Sequence, residues 1–437
     1  MALTAVLVFL PLLQNFRTLF YLHQQHGYVQ NHKASANIWI DVVSYAEGIA
    51  GWKTSLLELL YLARWLNGTL VEPCMKSGRL GSCGDSFTIP VSEIFDLVDY
   101  MKPSDVREFP LLASFESYQK ALDDDPESVA GMVKLCIVND PRLDMGRCST
   151  DSIRIGNMTR NGMQYILEKS KEGHFVLHVE DYWRGSLSKL GQRFGTTFPK
   201  SGEFERRMLP FHSKHIHFVD DLLKRANITM NNFSAIHWRA EKEGMDFMRC
   251  AKAVNDVKRI MLKRMTNNTA MTEEEESRHR FVLLSSLNED SDKMWLGSKV
   301  IADNDKESVQ NALTYLLRDN GFIKIDDLLD NDHSQLLDPG MLAVYDLIIA
   351  TKANNFASCA RHGQIGCTEL AKKLCEECSH VGKFGHLATL IRKNSLDTVG
   401  SSWECWPVEE NTSLNIDIGQ ISFIIDYLKQ LLARKSR

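Results

Sequence analysis

The chain has 437 residues, of which 44% are hydrophobic and 24% charged, with a formal net charge of -5. That length allows two or three domains with ample core, and the composition is that of an ordinary globular protein. The charge carries no nucleic-acid signature, so an anionic substrate would need a local basic pocket rather than a global field.

The N-terminus opens on a largely apolar run, residues 2–13, interrupted at Pro11. Its length suits a signal-peptide core better than a membrane span, which needs about twenty residues. Basic residues before it are absent and Arg17 comes after it. An anchor reaching residue 22 would carry Gln14, Asn15 and Arg17 near the bilayer centre, which is costly. Residues 1–30 therefore read as a signal peptide or weak anchor, the alternative being a buried N-terminal helix of a cytosolic protein. Six N-x-S/T sequons, at Asn67, Asn157, Asn227, Asn232, Asn267 and Asn411, exceed the roughly three that composition gives by chance. Ten cysteines fit either compartment, and Cys74 and Cys83 flank a loop that a disulfide would close in a secreted chain. Together these features favour residence in the secretory pathway, in the ER or Golgi lumen.

Residues 38–43 (IWIDVV) are a β-branched run of strand length. Gly48 and Gly51 come next, then a helix with Ser55, Leu56, Leu59, Leu60, Ala63 and Leu66 on one face, ended by Asn67-Gly68. A second strand starts at Thr69 and is closed by Pro73. Further strands are expected at 134–138, 175–179, 233–239, 281–284 and 347–350, and helices at 250–265, 309–317 and 368–375. This alternation predicts an α/β protein with mainly parallel sheets. The charged stretch 201–207 separates two such series. The expected domains are 31–205, 206–400 and a C-terminal extension, 401–437, whose helix at 421–432 would pack back on the others. Residues 267–277 read as a solvated acidic loop entering a helix.

The most informative stretch is Ala235-Ile236-His237-Trp238-Arg239-Ala240-Glu241-Lys242-Glu243. A short apolar strand ends abruptly in an imidazole, a guanidinium and two carboxylates. In an open α/β sheet, groups at a strand's carboxyl end point into the crevice where ligands bind. A forked, permanently charged Arg suits a diphosphate there. The alternative is a strand end that turns polar on reaching the surface. At the first βα turn, Gly48-Ile49-Ala50-Gly51-Trp52-Lys53 would let backbone approach a ligand near a helix N-terminus.

The His237 to Cys250 stretch resembles the His-x-Arg segment of the GDP-fucose protein O-fucosyltransferase family. In plant-type members the Arg is succeeded by an acidic pair, an apolar stretch and a Cys, which Glu241, Glu243, Met245, Phe247 and Cys250 match. Residues 48–73 resemble that family's first block, through Leu66-Asn67-Gly68-Thr69-Leu70, although the family has Asn or Gln where this chain has Trp52 and Lys53. A third block, Tyr345 to Ala350 with Asn355-Phe356-Ala357-Ser358 and Ile365-Gly366-Cys367-Thr368 after it, resembles the family's Asp-bearing strand and the small-residue turn that holds the β-phosphate. The structural alternative for Thr368 is a plain helix cap.

The resemblance implies a GT-B-type fold, two Rossmann-like domains facing across a cleft. It also implies metal-independent, inverting transfer of fucose from GDP-fucose to a protein or glycan hydroxyl, with no cofactor besides the donor. Arg239 and Thr368 would stabilise the departing diphosphate, and Glu47 is a candidate base. Gly48, Gly51, Trp52, Lys53, His237, Glu241, Glu243, Asp346, Gly366 and Cys367 complete the expected donor site. No Asp-x-Asp stands where a metal-dependent sugar transferase places its cation ligands. Cys375, Cys378 and His380 lack a suitably spaced fourth zinc ligand, so helical or disulfide cysteines are expected there. Two rivals stay open: a same-fold transferase using another nucleotide sugar, and an inactive binding protein in which Trp52 fills the space of the reacting sugar.

Overall fold

The computed structural model describes residues 38–137, 149–182, 209–239, 245–269, 278–287, 295–329 and 338–358, with short gaps inside several ranges, and positions 187, 378, 387 and 388. The chain divides into two compact units. One runs to Ala226 and includes Leu329–Ile348; the other holds Asn227–Leu328 and the chain from Ile349 on. Among the described residues no helix is long and apolar enough to cross a membrane. The expected signal or anchor region, the 201–207 stretch and the helices at 368–375 and 421–432 lie outside them.

In the first unit, β1 (Ile38–Val42) and β2 (Thr69–Val71) form as their apolar, β-branched residues direct, and both are buried throughout. Between them, α1 (Ile49–Leu66) starts directly at Gly48, whose extended backbone caps it without a side-chain bond. The amides of Gly51 and Trp52 bond to the Gly48 carbonyl at 2.8 and 3.2 Å. Gly51, Trp52 and Lys53, expected in a turn, are therefore already inside the helix. A helical glycine costs about 1 kcal/mol, less than the roughly 1.5–3 kcal/mol gained by burying each of Leu56, Leu59 and Leu60. The helix stops where Asn67-Gly68 says it should, with Asn67 left-handed at φ 51°. A Cβ on Gly68 would stand 2.7 Å from the Ile38 carbonyl oxygen, so only glycine lets the helix end pass this close to β1.

After β2 comes a small antiparallel ribbon of β3 (Cys74–Lys76), β4 (Arg79–Gly81) and β5 (Ile89–Pro90), closed by the expected Cys74–Cys83 disulfide. The chain then returns to the main sheet through β6 (Leu112–Ala113), α2 (Phe115–Asp123), β7 (Val129–Ile137), β8 (Ile153–Arg154), α3 (Arg160–Lys169) and β9 (His174–Tyr182). The six strands lie in the order β6-β2-β1-β9-β7-β8, all parallel. Helix α4 (Ser213–Arg225) presents His215 and Phe218 to Tyr345, with ring centroids 5.8 and 4.9 Å away. Asp338, which lies with Tyr345 in the returning Leu329–Ile348 segment, accepts from the Gly78 amide at 2.9 Å.

The second unit is built on β10 (Phe233–His237), β11 (Arg280–Leu284), β14 (Phe322–Lys324) and β15 (Asn355–Ser358), a parallel sheet in the order β14-β11-β10-β15. A two-residue ribbon, β12 (Trp295–Leu296) with β13 (Lys299–Val300), stands apart from it. Helix α5 (Phe247–Thr269) extends beyond its expected range at both ends, and α6 (Asp303–Thr314) runs into a π turn, Tyr315–Asp319. Their apolar faces close over Ile236, Phe281, Leu283 and Phe322 as one core.

One expected strand is a helix. Residues 347–350 lie inside α7 (Pro339–Lys352), and the strand is the next segment, Asn355–Ser358. Leu347, Ile348, Ile349 and Ala350 are all buried, so the run lacks the polar face that would reveal helical periodicity. A short apolar run of this kind reads the same in a buried helix and a buried strand.

Candidate functional site

Along β10 successive side chains alternate between faces. Ile236 and Trp238 enter the core beside Phe247, Cys250 and Val254 of α5 and Val309 and Leu313 of α6. Trp238 is completely buried. Its amide donates to the Leu284 carbonyl at 3.0 Å and its indole Nε1 to the Cys378 carbonyl at 2.8 Å. Cys378 is itself disulfide-bonded to Cys250 in the first turn of α5. The strand end is thus held from β11, from α5 and from position 378. His237 and Arg239 flank this anchor on the alternate side, both half-buried.

Their placement in the sheet matters. Counted within the unit, the strands run 3-2-1-4: the chain leaves β10 for β11 and β14 on one side, then returns to place β15 on the other. β10 and β15 therefore flank the topological switch point, where open α/β sheets bind ligands at their carboxyl ends. His237 stands there as register partner of Leu284 and of Ser358. Burial first, and the Arg239 charge second, push the His237 imidazole down to about 3. It stays neutral at physiological pH, a hydrogen-bonding ring beside a permanent cation. Such a pair can bind one anionic oxygen by charge and another by a neutral donor.

The first βα turn of the other unit differs from what its glycines suggest. Gly48 is exposed, with open space where a Cβ would stand. Trp52 and Lys53 are buried near the start of α1, at 0% and 3% exposure. Among the described residues, Trp52 Nε1, Ser55 Oγ and Tyr45 OH find no hydrogen-bond partner although all three are buried, each a cost of about 1–3 kcal/mol. Close by, the Tyr182 hydroxyl donates to Glu58 Oε2 at 2.5 Å, and both residues are buried. Burial and the nearby Asp41 carboxylate hold the Tyr45 phenol far above its ordinary range.

Of the expected site residues, the structure brings His237 and Arg239 together. Asp346 is on α7 rather than at a strand end, grouped with the first unit. Gly51, Trp52 and Lys53 are helical and also in the first unit. Glu47, Glu241, Glu243, Gly366, Cys367 and Thr368 lie outside the described residues, as do Cys375 and His380. Cys378 forms a disulfide rather than presenting a free thiolate. Sequence reasoning missed its pairing with Cys250, because nothing in one sequence marks two cysteines 128 residues apart as partners.

No protein-family model and no curated protein sequence matches this chain. Among solved structures the chain is similar to POFUT1 in complex with GDP-fucose, at 12% identity over 85% of this chain and 98% of that one, with a TM-score of 0.42. It is similar to POFUT1 in complex with GDP at 14% identity, 85% and 98% coverage and a TM-score of 0.40. The fucosyltransferase NodZ from Bradyrhizobium aligns at 13% identity over 78% and 93% of the two chains, with a TM-score of 0.32.

Proposed function

We propose that the chain is a metal-independent glycosyltransferase of GT-B type that binds a nucleoside-diphosphate sugar on its second unit. The observation carrying this reading is the pairing of His237 with Arg239 at the carboxyl end of β10, on the switch point of a 3-2-1-4 parallel sheet. The residue resemblance in the His237–Cys250 and Gly48–Pro73 stretches narrows the donor to GDP-fucose and the outcome to inversion. The acceptor is a hydroxyl of a protein or glycan, taken by the N-terminal half. Arg239 grips the diphosphate with paired hydrogen bonds and stabilises the charge that grows as the sugar departs. Neutral His237 adds a directional bond without adding charge.

Secretory residence is part of the same reading. The Cys74–Cys83 and Cys250–Cys378 disulfides suit an oxidising compartment, as do the sequons and the apolar N-terminus.

A second reading, an inactive nucleotide-sugar-binding protein, is favoured by one observation. Trp52 occupies the family's amide position, completely buried and with its indole N–H unpartnered among the described residues. Titration of GMP, GDP and GDP-fucose, with assays of sugar release and transfer across a panel of nucleotide sugars, separates the two. An active enzyme releases sugar from one donor of the panel. The binding protein takes GDP better than GDP-fucose, turns nothing over, and gains activity in Trp52→Asn.

A further inference from the structure

Three of the six N-x-S/T sequons have described side chains, those at Asn67, Asn227 and Asn232. An attached oligosaccharide is bulky and hydrated, so in the folded protein its asparagine must open to solvent. The structure sorts the three by that criterion.

Asn67 ends α1 with a left-handed backbone, φ 51°, and is half-buried. The rest of its sequon turns inward at once. Gly68 lies against the Ile38 carbonyl, and Thr69 is buried within β2, its hydroxyl donating to the Pro110 carbonyl at 2.8 Å. Asn232 is half-buried too, and its turn uses it three times. Its Oδ1 accepts from the Thr229 amide at 2.8 Å, its own amide donates to the Thr229 carbonyl at 3.0 Å, and its carbonyl accepts from the Arg280 amide at 2.8 Å. Ser234, the last member of that sequon, is completely buried in β10, its hydroxyl 2.8 Å from His279 Nε2 and 3.1 Å from Asn355 Nδ2.

Asn227 differs in each respect. It follows Ala226, the C-cap of α4, with a left-handed backbone at φ 53°, a place that accepts Asn second only to Gly. Asn227 and Thr229 are both exposed, while Ile228 between them is buried. The turn enters β10 at its amino end, whereas His237 closes the strand at its carboxyl end. At about 3.3 Å per residue, roughly 13 Å of strand separates those ends. An oligosaccharide on Asn227 would stand in solvent, at the far end of the strand from the candidate ligand-binding pair.

We propose that Asn227 carries an N-linked oligosaccharide and that Asn67 and Asn232 do not, an assignment that rests on the secretory reading. The co-substrate is a lipid-diphosphate oligosaccharide supplied by the host's glycosylation machinery. Asn227 Nδ2 bonds to the anomeric carbon of the first sugar and gives up one amide proton. The bond from that carbon to the diphosphate oxygen breaks, and its electron pair leaves with the lipid diphosphate.

The test expresses the full chain in a eukaryotic secretory host, with a sequon-bearing tail added after Arg437 as a control. Peptide-N-glycosidase in heavy-oxygen water converts each glycosylated Asn to a labelled Asp, which peptide mapping locates. Label is expected at Asn227 and in the tail, and not at Asn67 or Asn232. Asn227→Gln and Thr229→Ala should each lose the same one-glycan step in mass, and Thr229→Ser should keep it, because Ser also completes a sequon. A labelled tail with Asn227 bare overturns the proposal and leaves secretory residence standing. Label at Asn67 or Asn232 overturns the assignment by exposure, as does a full mass step in Thr229→Ala. A bare tail places the chain outside the glycosylating compartment and sinks the secretory reading, and this proposal with it. Should a variant fail to fold, the wild-type map still decides among these outcomes.

Discussion

Trp238 donates its indole N–H to the carbonyl of Cys378 at 2.8 Å, across 140 residues of chain. The bond anchors the one side chain that separates His237 from Arg239, so the two candidate ligand-binding groups stand on a strand end fixed by buried contacts. Preorganisation of this kind lets a charged group act without a reorganisation cost during reaction.

Arg239→Ala should reduce transfer by about a hundredfold or more while leaving the fold intact. It should also erase about 1.5–3 kcal/mol of the preference for GDP over GMP, the worth of a hydrogen bond to a charged group. Arg239→Lys should recover little of either, because a point charge lacks the guanidinium fork. Steady-state kinetics and calorimetric titration check both; near-wild-type turnover removes Arg239 from the site.

Transfer should survive an excess of chelator. The expectation comes from an Arg-based diphosphate grip and from the lack of an Asp-x-Asp at a cation-ligating place in the sequence. Complete loss, restored by manganese or magnesium, would replace this mechanism.

Removing the Cys250–Cys378 bond should cost more stability than removing Cys74–Cys83. Their sequence separations are 128 and 9 residues, which in the loop-entropy account correspond to about 5 and about 2.5 kcal/mol. Thermal unfolding of Cys250→Ser/Cys378→Ser and Cys74→Ser/Cys83→Ser proteins tests the order. The first pair should also weaken GDP binding, because it releases the anchor of Trp238; unchanged binding would confine that disulfide to stability.

Stability should fall as pH drops from about 6.5 towards 4. His279 is buried against Ser234 at 2.8 Å, and burial, with a smaller effect from Lys258, lowers its pKa from 6.5 to about 4. The unfolded chain then binds a proton that the folded chain refuses, so the stabilising contribution is complete above the unfolded value and lost on descending to the folded one. His237 acts in the same direction, whereas the raised pKa of His178 opposes it. Denaturation midpoints across this range, compared with those of His279→Gln, give the measurement; an equal slope in the variant would exclude His279 as a source.

The strands at β1, β10 and β11 were legible because each is a short, largely apolar run buried over nearly its whole length. The stop at Asn67-Gly68 was legible from its turn chemistry. Gly48 to Lys53 was not read as a helical turn, since two glycines argue locally against what the burial of Trp52 and Leu56 imposes. The third block went wrong at residues 347–350, where a helix buried on all sides shows no period. Asn355–Ser358 gave little sign of being a strand, because its small and polar residues take their place from pairing with β10. Asp41 and His178, 137 residues apart, become a pair only once β1 and β9 are aligned.

The return of Leu329–Ile348 to the first unit has a practical side for anyone dividing this protein. Tyr345 leaves its ring partners, His215 and Phe218, far behind it in sequence. Gly340 fits so closely under Met75 and Gly78 that a single added methyl would collide with both. A fragment ending at Ala226 would expose the seat of that segment, and one starting at Asn227 would carry the segment away without its seat. No single cut yields two whole units, so protease trimming or split-protein strategies need two cuts and a rejoined chain.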